Sequence, residues 1–226
     1  MIRVDALAKK LSVTFALSGI SFRVNTGEAL ALVGHSGGGK TTILRLIAGF
    51  EIPDSGDIYI KDRLVSSRGY ACPPHERGIG MVFQKAALWP HMTLAQNIRF
   101  GLKGLSKSAI SDRLKELIEI THLKGMEERY PHQVSGGEAQ RAALARAIAP
   151  NPDILFMDEP MTGLDHELVL EMNEVLRDIR STLKTTIIYV SHDLKEARFN
   201  TDRVIQLTHG RITYDGGWES LDVKGN

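Results

Sequence analysis

Ala29-Leu30-Ala31-Leu32-Val33, continued by Gly34-His35-Ser36-Gly37-Gly38-Gly39-Lys40-Thr41, is the stretch whose reading decides the fold. Five apolar residues ending at a glycine have the pattern of a strand buried on both faces. The next eight fit G-x-x-x-x-G-K-[ST]. After them come Ile43, Leu44, Ile47 and Ala48 at helical spacing, so the loop lies between a strand and a helix, the context that this pattern requires. Glycines let the backbone wrap closely round phosphate groups with its N–H groups turned inward, and the following helix adds the positive end of its dipole. Lys40 can then reach β and γ phosphates, while the Thr41 hydroxyl can ligate Mg²⁺.

Two more buried-strand patterns follow, Asp153 to Met157 and Thr185 to Val190, each ending at polar residues. Open α/β sheets bind ligands at the carboxyl ends of their strands, where these two would deliver Asp158, Glu159 and His192. Of the paired acids, Asp158 is assigned to Mg²⁺, through the metal's water, and Glu159 to orienting or deprotonating an attacking water. His192 is placed to sense a γ-phosphate. A DE pair alone is most often a solvated loop and a lone histidine a surface residue, so both assignments rest on sharing an edge with the phosphate loop.

Around this core, Ile58-Tyr59-Ile60 and β-branched pieces near Val4, Val13, Phe22 and Val24 indicate a small antiparallel sheet, with a turn at Pro53 to Gly56. From Ser106 to Ala149 the pattern is helical. The expected fold is α/β: a P-loop NTPase core with a mostly parallel sheet, a small N-terminal antiparallel β subdomain and an inserted helical subdomain. Core residues 1–84 and 151–226 would flank a helical part at 85–150. Ser135-Gly136-Gly137-Glu138 has the S-x-x-E form of a capping box opening the second helix. Two glycines in its first turn cost about 1 kcal/mol each relative to alanine, and bare N–H groups there suit the approach of an anion. A second phosphate-contacting site in one chain is most simply explained by a head-to-tail dimer holding two ATPs at its interface.

Composition narrows the classes. With 28 basic and 27 acidic side chains in 226 residues, the net charge of +1 provides neither the footprint of a nucleic-acid binder nor a polybasic membrane surface. No apolar run approaches the roughly 20 residues of a membrane span, and the N-terminal residues do not read as a secretory signal. A single cysteine, Cys72, agrees with a reducing compartment, so the chain is expected to stay in the cytosol.

Six ordered motifs resemble those of the ATP-binding cassette family: the phosphate loop at Gly34 to Thr41, the glutamine loop at Gln84, the signature at Val134 to Glu138, the acidic strand at Ile154 to Glu159, the D-loop at Thr162 to Asp165 and the switch histidine at His192. The resemblance implies that Gln84 contacts Mg²⁺ and the attacking water. It also implies that Ser135 and Gly137 hold the γ-phosphate of the opposite copy's ATP, with Gly136 and Glu138 beside them, and that Asp165 links the two sites. Thr42 joins the nucleotide contacts next to Thr41. The aromatic that stacks on adenine precedes Ala16-Leu17, where Leu11 and Phe15 stand; Phe15 is the choice. Where the family's signature usually starts with Leu and ends with Gln, this chain has Val134 and Glu138, the latter an added negative charge. Its D-loop reads Thr162-Gly163-Leu164-Asp165.

Arg77 to Gln84, followed by Ala87 to Thr93 and Asn97-Ile98, is similar to importers for sugars, polyamines, iron and oxyanions. Trp89, Pro90 and Met92 would form an exposed apolar groove for a membrane subunit, buried packing being the alternative for Trp89. The implied function is the ATP-hydrolysing subunit of a bacterial-type importer on the cytoplasmic side of the inner membrane. It would be bound there to transmembrane permease subunits and, through them, to an extracytoplasmic solute-binding protein. The C-terminal regulatory domain of many such relatives is not expected in a chain ending at Asn226. Rival readings are a soluble ABC ATPase acting on nucleic acid or ribosomes, an export-type ATPase, and a nucleotide-gated module that does not hydrolyse.

Overall fold

A computed structural model describes residues 1–102, 104 and 106–222. In chain order the strands are β1 (Ile2–Lys10), β2 (Ala16–Val24), β3 (Ala29–Val33), β4 (Ser55–Ile60), β5 (Arg63–Ser67), β6 (Tyr70–Ala71), β7 (Ile79–Val82), β8 (Ile154–Asp158), β9 (Thr186–Ser191), β10 (Arg203–Thr208) and β11 (Arg211–Gly216). The helices are α1 (Lys40–Ala48), α2 (Leu94–Arg99), α3 (Lys107–Ile120), α4 (Gly136–Ile148), α5 (His166–Leu183), α6 (Leu194–Asn200) and α7 (Trp218–Asp222). They group into two compact units, Met1–Ile79 with Thr185–Asn226, and Gly80–Lys184.

In the first unit β3 runs parallel to both β9 and β10, and β11 returns antiparallel beside β10. Every residue of β3 and β9 is buried, as their unbroken apolar runs require. A second sheet, in the order β2-β1-β4-β5-β6, is antiparallel throughout. Its β2 strand alternates between buried and exposed positions, the period-two signature of a sheet covered on one face. The small antiparallel sheet is therefore present, but Val13 is not part of it. Val13 is 94% exposed in the connection between β1 and β2, where Ser12 Oγ accepts from the N–H groups of Thr14 and Phe15 and turns the chain.

Arg77 anchors this unit. It is buried at 4% exposure, and its guanidinium donates to the carbonyls of Leu46, Ile47, Val65 and Cys72 and to Ser66 Oγ at 2.7–3.3 Å. The planar fork thus satisfies two carbonyls at the end of α1 and ties them to the β5–β6 hairpin. Burial lowers its pKa from the usual arginine value, while Cys72 and Tyr70 act in the opposite direction.

In the second unit β8 lies beside β7 and all five β8 residues are buried. Helix α3 is capped by Ser106, whose Oγ accepts from Ala109 N–H, and it buries Leu117 and Ile118 while Leu114 is only half-buried. The two helices expected within 106–149 are present, the second opening at Gly136, two residues before Glu138. Helix α2, which periodicity did not suggest, starts at a Thr93–Gln96 capping box.

Arg77→Met should leave several buried carbonyls without donors, each costing about 1–3 kcal/mol. A net loss of roughly 3 kcal/mol would lower the melting temperature by about 6–12 °C in a domain of this size. Thermal denaturation of the nucleotide-free protein reads this directly, and Arg77→Lys should rescue little because one ammonium cannot span five acceptors.

Candidate functional site

The phosphate loop fills the turn from β3 into α1, and the geometry explains its residues. Gly34 has φ +147°, and a Cβ there would come 2.3 Å from the Leu207 carbonyl oxygen on β10. Gly39, the residue before α1, has φ +99°, and no side chain caps the helix. Its backbone donors are thus offered on the loop side, the arrangement that receives an anion. Lys40 is 4% exposed and folds back over the loop, its Nζ donating to Gly34 O at 2.8 Å and His35 O at 3.2 Å. His35, Ser36 and Gly37 are exposed at the loop's crest, Thr41 is exposed and Thr42 half-buried.

Phe15 lies at the end of this loop. A Cβ at Gly39 would sit 2.4 Å from Leu17 Cδ2 and 3.7 Å from Phe15 Cζ, so the half-buried ring borders the start of α1. Between the two candidates for the adenine contact, it is Phe15 that the chain holds beside the loop. Leu11 has its N–H on Phe15 O and is 40% exposed. His192 follows β9 directly. Since Ser191 pairs with Val33 in the parallel ladder, His192 and Gly34 leave adjacent strands at the same end. Tyr189 and Glu196 back this corner, the tyrosine hydroxyl donating to the carboxylate, and desolvation raises the pKa of both groups.

The other expected site residues belong to the second unit. Asp158, 9% exposed, ends β8, and Glu159 follows in the left-handed region at φ +49°. A non-glycine residue is strained there, and it persists only where its surroundings hold it. Thr162 supplies two such holds, its N–H donating to Glu159 O and its hydroxyl to Glu159 Oε2, both at 3.2 Å. Gln84 is exposed just beyond β7. Asp165 caps α5 by accepting from Leu168 N–H at 3.0 Å.

At the start of α4 the capping box forms in full: Ser135 Oγ accepts from Glu138 N–H at 3.2 Å, and Glu138 Oε2 accepts from Ser135 N–H at 2.6 Å. The negative charge of Glu138 is therefore spent on the cap, and the Ser135 hydroxyl, which accepts in that cap, keeps its own proton to donate. The two glycines separate. A Cβ at Gly137 would meet Leu168 Cδ2 of α5 at 2.7 Å, so packing accounts for that glycine, whereas Gly136 faces open space.

The expected exposed apolar groove is corrected. Only Pro90 is exposed; Trp89 and Met92 are half-buried. The Trp89 ring packs on Phe100 at 4.3 Å, with the Arg146 guanidinium 4.7 Å above its centroid. A groove of about 560 Å³ lies next to it, lined in part by His91, Met92, Phe100 and Ile110.

No group of three His, Cys, Asp or Glu able to hold a metal occurs among the described residues. Thr41, Asp158 and Gln84, the residues expected to serve Mg²⁺, offer a hydroxyl, a carboxylate and an amide oxygen, the hard donors this ion takes; Thr41 belongs to the first unit and the other two to the second.

A family model described as ABC transporter matches residues 17–162. The sulfate/thiosulfate import ATP-binding protein CysA 2 of Agrobacterium fabrum is 42% identical over 219 residues, which cover 95% of this chain and 63% of that protein. The spermidine/putrescine import ATP-binding protein PotA of Oleidesulfovibrio alaskensis is 41% identical over 217 residues, covering 95% and 57%. The chain thus spans about three fifths of the length of these relatives. Among solved structures, cbiO1 from Clostridium perfringens, described as part of the ABC transporter complex cbiONQ, superposes with a TM-score of 0.88 at 27% identity over 99% of this chain and 90% of that one. A dimeric post-hydrolysis state of the ATP-binding cassette MJ0796 with ADP and Pi gives a TM-score of 0.82 at 28% identity, covering 96% and 98%.

Proposed function

The chain belongs to the ABC transporter family, and from that premise we propose that it is the ATP-binding and ATP-hydrolysing subunit of a bacterial-type importer. The observation that carries this reading is the uncapped start of α1 beneath a glycine loop, closed by the buried Lys40. Such a loop offers backbone donors and one ammonium to a polyphosphate, and Phe15 at its end supplies a flat apolar surface for a base. Importer rather than exporter follows from the relatives, both named as import ATP-binding proteins.

In this mechanism the loop residues Gly34 to Thr41, with Thr42, hold the phosphates, and Lys40 moves from its carbonyl acceptors to the β and γ oxygens. Thr41 and Gln84, with Asp158 through the metal's water, would hold Mg²⁺, which would supply neutralisation of the phosphate charge. Glu159 orients the attacking water and takes its proton as the bond from phosphorus to the β–γ bridging oxygen breaks, giving ADP and phosphate. His192 donates to the γ-phosphate.

Neither copy is complete alone. Ser135 and the N–H groups of Gly136 and Gly137 serve the γ-phosphate bound by a second copy arranged head to tail, Glu138 acts through the cap, and Asp165 connects the two sites. Among the described residues no helix is long and apolar enough to cross a membrane. By analogy with the import complexes of its relatives, the permease is assigned to separate chains that hold this subunit at the cytoplasmic face of the inner membrane, with an extracytoplasmic solute-binding protein joining through them.

Glu159→Gln should keep ATP binding while lowering turnover by about 10²–10⁴-fold, the usual worth of a general base, and should accumulate an ATP-loaded dimer on gel filtration. Unchanged turnover, or a species that stays monomeric with ATP at every concentration, would overturn the assignment. Lys40→Ala should weaken nucleotide binding in equilibrium dialysis, and an unchanged affinity would count against the loop. Copurification from native membranes tests the importer reading: permease subunits should be recovered with the protein, whereas recovery with ribosomes or nucleic acid alone would refute it.

A further inference from the structure

Helix α4 starts at the capped Ser135 and, along its length, takes hold of the segment after β7. Gln140, 4% exposed, donates from Nε2 to Phe83 O at 2.9 Å, one residue before Gln84. In the last turn of α4, Arg146 donates from Nη1 to Ala87 O at 2.9 Å and from Nη2 to Ala86 O at 3.2 Å. The two grips fall on either side of Gln84 and Lys85, which are themselves exposed.

The segment is held under strain at the second grip. Ala87 has φ +46°, a left-handed conformation that a residue with a Cβ keeps only where its neighbours impose it. The fork of Arg146 on two consecutive carbonyls does so, and its guanidinium also covers the Trp89 ring. Burial lowers the pKa of Arg146 from the usual arginine value. Asn97 pins the far end of the segment. Its Oδ1 accepts from Trp89 N–H at 2.8 Å, and its Nδ2 donates to the carbonyls of Trp89, Met92 and Thr93 at 3.0–3.2 Å.

We propose that Gln140 and Arg146 are positioning residues that suspend the Gln84 segment from α4, so that the helix whose first turn carries Ser135 and the loop that carries Gln84 move as one body. This rests on the functional reading above, in which Gln84 serves the copy's own nucleotide and Ser135 that of its twin. Seating Ser135 on the twin's phosphate then sets where Gln84 stands, and one helix links the two ATPs mechanically.

Trypsin provides a readout separate from catalysis, because Lys85 lies inside the suspended segment. In the full-length protein without nucleotide, Gln140→Leu and Arg146→Met should each speed cleavage after Lys85 by about tenfold, as expected when a hydrogen bond that closes a local opening is lost. Cleavage after Lys10 and Lys115 should not change, and Arg146→Lys should recover part of the protection. Both variants should lower kcat with the KM for ATP unchanged, and neither should lower it further in a Gln84→Ala background. Unchanged cleavage at Lys85, an equal rise at all three sites in both variants, or a full additional loss of kcat on top of Gln84→Ala would overturn the proposal. If Gln84→Ala itself leaves kcat intact while Lys85 becomes labile in the tether variants, it is the role given to Gln84 that fails, and the suspension stands.

Discussion

A buried ammonium has to be met by acceptors, and that requirement at Lys40 organises the first unit. The side chain is 4% exposed and its Nζ rests on the carbonyls of Gly34 and His35. An ammonium withdrawn from water without such partners would be costly to keep charged. The loop must therefore curl so that its carbonyls face the lysine, and the left-handed turns at Gly37 and Gly39 allow this. The same curl leaves α1 without a side-chain cap. Strand β3 fixes where the loop begins and Arg77 fixes the far end of α1, so the loop is held between two rigid points.

The second unit is organised by α4, which has a distinct task at each end. Its N-terminus is closed by the reciprocal Ser135–Glu138 cap, and its last turn grips Ala86 and Ala87 through Arg146. Between these ends the helix is packed against α5 through Gly137 and Leu168, and through the ion pair of Arg141 with Glu171. A helix held at so many points transmits displacement instead of absorbing it. This is the physical ground for treating the signature residues and the glutamine segment as a coupled pair.

Strained backbone marks the places where the chain gives up local preference. Glu159 and Ala87 both lie in the left-handed region, and each is restrained by hydrogen bonds from residues nearby in space, Thr162 in one case and Arg146 in the other. In the proposed mechanism, the first carries the group that handles water and the second flanks the group that faces the metal. Conformations of this kind tend to gather at functional sites, where surrounding structure over-determines them.

The strands β3, β8 and β9 were legible because burial on both faces demands unbroken apolar runs, and the loop 34–41 because close approach to phosphate demands glycine and lysine at set intervals. The Ser135–Glu138 cap could also be read, since both partners lie within one helical turn. Chemistry that is local in sequence leaves a local pattern. The approach of the Phe15 ring to the start of α1, the packing reason for Gly137, the half-burial of Trp89 and the tether from Gln140 and Arg146 could not be read in this way. Each depends on residues 24 to 59 positions apart in the chain, brought together only by folding. An arginine in the last turn of a helix looks the same in sequence whether it complements the helix dipole in water or carries a loop, because only the folded chain decides which carbonyls stand in front of it.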